Sequence, residues 1–179
     1  NQHIAEDWAF TGRVEFTKLM PGLQVGFSTF LGDTSQGFID EGGFMALLEA
    51  DIQYRNGWFE MNATIVNTSV ADATALNTFC AQPGHACTGG IASNNFGFNI
   101  QGGVHLPQLM GWKTTHDIIP HFMFEQVRTQ DKMPSGTSVT PGRNRNAVYT
   151  FGVAYLPIPE VSIKADLTNT HFQEGTDTS

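Results

Sequence analysis

Charge is scarce in this 179-residue chain. Only 15% of residues are Asp, Glu, Lys or Arg, against about 25% in an average globular domain. Basic residues are scarcest, nine in all, which leaves a formal net charge of −8 and a pI near 5.0. Such a balance argues against nucleic acid as a partner, because the phosphate backbone is bound through clustered Lys and Arg. No run of 18 or more apolar residues occurs, so transmembrane helices are excluded. No charged-then-apolar leader opens the chain, which reads as a mature form or an internal piece.

Cysteine is also rare. Cys80 and Cys87 bracket a polar stretch, Ala81-Gln82-Pro83-Gly84-His85-Ala86. A pair so close reads as a disulfide formed in an oxidising compartment, such as the periplasm or cell surface. A reduced pair is one alternative. A metal site using His85 is another, but two sulfurs and one imidazole leave the ligand set incomplete.

What the chain has is Gly (19), Phe (14) and a pattern of period two. Trp8, Phe10, Gly12, Val14 and Phe16 alternate with Ala9, Thr11, Arg13, Glu15 and Thr17. Seven further segments repeat the alternation, among them Phe44 to Tyr54 against Glu49, Asp51, Gln53 and Arg55, and Val161 to Leu167 against Ser162, Lys164 and Asp166. A strand whose two faces meet different surroundings carries this signature. Strands are expected near 7–18, 23–32, 43–55, 58–68, 94–106, 116–129, 146–156 and 161–172. Most reach the roughly 9–11 residues that a tilted strand needs to cross hydrocarbon.

Alternation also occurs in soluble sandwiches and lipocalins. Here the few charges concentrate on one face while the other is crowded with Phe, the inversion expected of lipid outside and water inside. The joins alternate as well. Leu19-Met20-Pro21-Gly22, Asn56-Gly57 and Pro157-Ile158-Pro159-Glu160 are short, whereas 33–42, 68–93 and 130–144 are long and polar; only Pro107 to Thr115, a medium-length turn, blurs the rule. Periplasmic turns and external loops differ in this way. Tyr54, Trp58, Trp112 and Tyr155 lie near the short turns and Trp8 near a long loop, either as interface aromatics or as ordinary strand residues. Both chain ends fall on the long-loop side, so residues 1–179 read as a single barrel segment truncated at both ends.

Several stretches resemble the porin family that includes the phosphate-selective porins of Gram-negative bacteria. Tyr149-Thr150-Phe151-Gly152-Val153-Ala154-Tyr155-Leu156-Pro157-Ile158-Pro159-Glu160-Val161-Ser162-Ile163-Lys164-Ala165-Asp166 is similar to that family's late hairpin. Glu49-Ala50-Asp51-Ile52-Gln53-Tyr54-Arg55-Asn56-Gly57-Trp58-Phe59-Glu60 resembles an earlier one, and Asp33-Thr34-Ser35-Gln36-Gly37 a loop. The resemblance implies an all-β, antiparallel, up-and-down transmembrane barrel of roughly 16 strands. About eight of them would lie in this chain. It further implies a homotrimer in the outer membrane that passes ions or small hydrophilic solutes and contacts lipid.

The residues expected to line the water-filled side are Arg13, Glu15, Glu49, Asp51, Arg55, Glu60, His105, His121, Glu125, Lys164 and Asp166. Selective members of the family line the pore with Arg and Lys. The acidic excess here points instead to a general or mildly cation-preferring pore, filtering by wall charge. Lys132, Arg143 and Arg145, in the joins, are placed to reach the mouth.

No catalytic role is expected, since the chain has no nucleophile elbow, phosphate-cradling loop or paired-acid motif. The six histidines are dispersed, and no cofactor is called for. His105 and His121 could face each other on adjacent strands as a weak metal site. Gly89-Gly90 and Gly102-Gly103 read as loop and strand flexibility. Two other functions stay open: a barrel acting as sleeve or scaffold for a partner protein, and a soluble β-domain with a ligand cavity.

Overall fold

The computed structural model describes residues 8–33, 43–84, 90–137 and 144–173. Eight strands form one antiparallel sheet in the order of the chain. They are β1 (Ala9–Phe16), β2 (Leu23–Asp33), β3 (Phe44–Asn56), β4 (Phe59–Val70), β5 (Asn94–Val104), β6 (Asp117–Lys132), β7 (Arg145–Ile158) and β8 (Val161–Gln173). The chain is thus all-β with up-and-down connections, and every expected strand is present within a few residues of its expected bounds. Among the described residues β1 and β8 do not pair, so the sheet is open.

The short turns are tight for identifiable reasons. Asn56 pairs with Phe59, leaving Gly57 and Trp58 as the turn, with Gly57 at a φ of 55°. The hairpin therefore puts glycine at its first central position, and Asn56 is the last paired residue of β3. Gly22, at a φ of 79°, lies so close to β3 that a Cβ would strike Arg55 O. At the β7–β8 end the ladder shifts between Tyr155 and Ile158, where Pro157 has no N–H to offer.

Two joins read as loops contain short helices, α1 (Ala73–Cys80) and α2 (Leu106–Met110). α1 begins at Asp72 in the left-handed region, without a side-chain cap. It is held from outside by Asn77, which donates to Ala73 O (2.7 Å) and Ile91 O (2.8 Å) and accepts from Ile91 N (2.7 Å). Cys80, its last residue, is disulfide-bonded; the expected pairing with Cys87 falls outside the described residues. Cys87, the sequence's only other cysteine, lies outside the described residues, as do Thr34–Gly37 and Arg143.

There is almost no core. Among the described residues the buried apolar side chains are Ala73, Ala92, Pro107, Ile119 and Ala154, whereas 26 large hydrophobic residues are exposed, Trp8 at 92% and Leu167 at 75% among them. A sheet that folds in water buries one face against a second layer, and this one has no such layer among the described residues. Nor is any described helix long and apolar enough to cross a membrane.

Candidate functional site

Directly opposed residues in an antiparallel sheet share a face, so the register sorts every strand residue into two sets. One set forms continuous rows of small or polar side chains. Glu15, Gly26, Asp51, Thr64, Asn99, Glu125, Val148 and Thr170 make one row from β1 to β8. Arg55, Glu60, Gly103, His121, Gly152 and Asp166 make another. A trough of about 770 Å³ runs along this face, bounded by Gln24 and Arg55 at one side and Lys164 and Asp166 at the other. Arg13, Glu15, Glu49, Asp51, Arg55, Glu60, His121, Glu125, Lys164 and Asp166 all belong to the face by register. His105 follows β5 and lines the trough.

The charged residues gather into three clusters. In the first, Arg13 lies 3.1 Å from Glu15, 4.0 Å from Glu49 and 2.8 Å from Asp51. Asp51 is nearly buried beneath it, and Arg13 also donates to Ser28 Oγ (2.8 Å). Gln24 closes the group by donating to Glu15 Oε1. The second centres on His105, 2% exposed and the only large side chain fully buried among the described residues. Asp117 Oδ2 lies 2.5 Å from its Nδ1, and Glu60 Oε2 lies 3.3 Å from its Nε2. Arg55 stands 3.8 Å from the same Glu60. In the third, His121 Nε2 is 2.9 Å from Asp166 Oδ1.

Glycine makes the first and third clusters possible. Arg13 on β1 reaches Asp51 on β3 across Gly26 of β2, and His121 on β6 reaches Asp166 on β8 across Gly152 of β7. A Cβ at Gly26 would fall on Asp51 Oδ2 and Arg13 Nη2, and one at Gly152 on Asp166 Oδ1 and His121 Nε2. At Gly103 the fit is looser, since an added Cβ would lie 3.0 Å from Ile119 Cγ2 and 3.3 Å from Glu60 Oε1. Gly103 therefore sits in close packing with Ile119 and Glu60, which is a more specific role than strand flexibility.

Sequence reasoning missed Asp117, whose partner is visible only once α2 folds back and sets His105 beside the start of β6. It also missed the two gap glycines, Gly26 and Gly152, whose one signal is a glycine at a polar-face position between charged neighbours. His105 and His121 each sit against their own carboxylates, Asp117 and Glu60 for the first and Asp166 for the second. No group of three or more metal-ligating side chains occurs among the described residues. Lys132 and Arg145 end β6 and begin β7. They stand on the opposite, apolar face and not at the mouth of the trough.

That opposite face carries Phe16, Val25, Ile52, Ala63, Ile100, Phe124 and Tyr149 in a single row. Its strand residues bear no Asp, Glu, Lys or Arg except at the long-loop end, where Asp33, Arg128, Lys132 and Arg145 lie. The trough face, by contrast, sets Arg13, Arg55 and Lys164 against seven carboxylates, the six expected from sequence and Asp117. Glu125 has no ion pair among the described residues, and neither does Lys164.

Over 176 residues, 97% of its length, the chain is 24% identical to an uncharacterized protein of Aquifex aeolicus (strain VF5). It spans 39% of that protein's length. No protein-family model and no solved structure matches the chain.

Proposed function

We propose that this chain is part of the wall of an outer-membrane β-barrel pore, with the Phe-rich face against lipid and the trough face against water. The observation that carries the reading is the separation of charge. On β3 the apolar face is free of charge from Phe44 to Tyr54, about 33 Å along the strand, or roughly 25 Å tall at a 40° tilt. A lipid-facing band has about that height. In water the same surface would be an apolar patch far larger than monomers tolerate. The open sheet fits a wall that further strands complete, and the Aquifex relative has length to spare for them. A barrel of roughly 16 strands, trimeric assembly and an outer-membrane location follow from the porin resemblance and form part of the proposal.

The mechanism is diffusion filtered by the wall's charge. Arg13 is absorbed by its three carboxylates, and His105 and His121 each sit against acids. The trough therefore presents more unneutralised carboxylate than cation and raises the local concentration of small cations. Planar-bilayer recording of the full-length protein tests the reading. Open ohmic steps whose reversal potential in a KCl gradient favours K⁺ are expected. An inserted protein without steps would make the barrel a sleeve, and a protein that never enters the bilayer would end the membrane reading.

A further inference from the structure

One row of the trough face carries no charge. Gln24, Gln53, Asn62 and Gln101 stand directly opposite one another in succession on β2 to β5, and Met123 of β6 comes next. The Gln24 amide is spent on Glu15. Gln53, Asn62 and Gln101 line the trough, and among the described residues their amides have no protein partner. Three adjacent strands thus present three unanswered carboxamides over roughly 10 Å, two strand spacings.

The rows on either side leave little charge to compete for this place. Toward the short turns, Glu60 answers Arg55 at 3.8 Å, Asp166 answers His121 at 2.9 Å, and His105 is closed between Asp117 and Glu60. Toward the long loops, Asp51 lies 2.8 Å from Arg13. Glu125, on the same strand as Met123 and without an ion pair among the described residues, repels anions from the row. Lys164, which also has no ion pair there, is on β8, three strands from Gln101 on β5.

A carboxamide offers N–H donors and a carbonyl acceptor. A bare anion takes only the donors and a bare cation only the oxygens, whereas a hydroxyl both donates and accepts. A run of hydroxyls therefore answers all three amides at once. Met123 at the end of the row, with Ile119 and Leu156 in the same trough, supplies aliphatic surface for the C–H face of a sugar ring, and the Met side chain adapts to irregular shapes.

We propose that Gln53, Asn62 and Gln101 form a binding station for an uncharged polyhydroxylated solute, a mono- or disaccharide, on its way through the pore. The inference rests on the reading of the trough as a pore wall and adds a class of solute to it. Wall charge sorts the ions, and the amide row holds neutral sugars.

The test uses full-length protein in planar bilayers, with maltose added to the KCl bath and single-channel current as the readout. Maltose should reduce the K⁺ current along a saturating curve. A poly(ethylene glycol) of similar size, with ether acceptors and no donors along its chain, should reduce it only in proportion to bath conductivity. Q53M, N62L and Q101M keep side-chain bulk and remove the amide. Each should raise the half-saturating maltose concentration about fivefold, the worth of one hydrogen bond, and the triple variant should show no saturation. Q108A, which removes a carboxamide on α2 outside the trough, should keep the unsubstituted curve. Retained heat-modifiable gel migration shows that each variant still folds, and the single variants serve should the triple one fail to fold. Equal, unsaturating reduction by maltose and the polymer, or a maltose curve indifferent to all three substitutions, overturns the sugar site while the pore stands. Saturation by inorganic phosphate and not by maltose overturns the neutral class of solute. A protein that conducts nothing overturns the pore reading and the site with it.

Discussion

Gly102 and Gly103 are chain neighbours with opposite duties. Gly102 is on the apolar face, where an added Cβ would make only an ordinary contact at 3.6 Å. Gly103 points into the trough beneath Glu60. Gly26 is the most demanding of its kind, because its missing side chain is the space in which Arg13 and Asp51 meet. Gly26→Ala should cost about 1–3 kcal/mol through overpacking, whereas Gly102→Ala should stay within about 0.5 kcal/mol. Urea unfolding in detergent micelles distinguishes them, and equal costs would remove the gap role. Glu125 supplies the second prediction at this scale. A carboxylate with no cation beside it contributes its full charge to the trough, so Glu125→Gln should lower the K⁺ preference of the pore. Gln24→Ala, which removes no charge, should leave the reversal potential unchanged. A reversal potential indifferent to Glu125 would put the selectivity elsewhere.

At the scale of elements, the strands were legible and the helices were not, for one physical reason. A strand between two media writes its environment into every second residue, as Phe44 to Tyr54 show against Glu49, Asp51 and Gln53. α1 writes nothing of the kind. Its sequence, Ala73-Thr74-Ala75-Leu76-Asn77-Thr78-Phe79-Cys80, has mediocre propensity and no side-chain cap. It is made helical by tertiary bonds from Asn77 to the returning chain at Ile91. The same limit hid Asp117, which acquires its role through the path of α2. The ten strand positions placed on the trough side from sequence do share that side, because a period of two carries facing directly. The pairing among them depends on glycines whose meaning appears only with the register. Asn77→Ala removes three hydrogen bonds and should loosen this join by about 1–3 kcal/mol. Amide exchange should quicken at 73–80 and 91–93 while the strand amides of β3 and β4 keep their protection. Uniform loosening of the sheet would mean that α1 supports the wall and is not merely seated on it.

For the whole molecule, the question is what solvent the sheet is built for. Its apolar face exposes Phe10, Phe27, Leu48, Phe122, Phe151 and Leu167, and among the described residues β1 and β8 are two edges without a further strand. Soluble proteins cover such faces and blunt such edges with charge, proline or bulges. On β8 the only Asp or Lys residues, Lys164 and Asp166, lie on the trough side, and the strand is exposed along all thirteen residues with Ile163 and Leu167 on the apolar side. The chain should therefore hold antiparallel β-structure in detergent or lipid and precipitate when detergent is withdrawn. Circular dichroism and light scattering during dialysis read both. A clear, monodisperse solution in plain buffer, with the strand spectrum intact, would mean that water tolerates the Phe-rich face. That result would return the chain to the class of soluble β-domains.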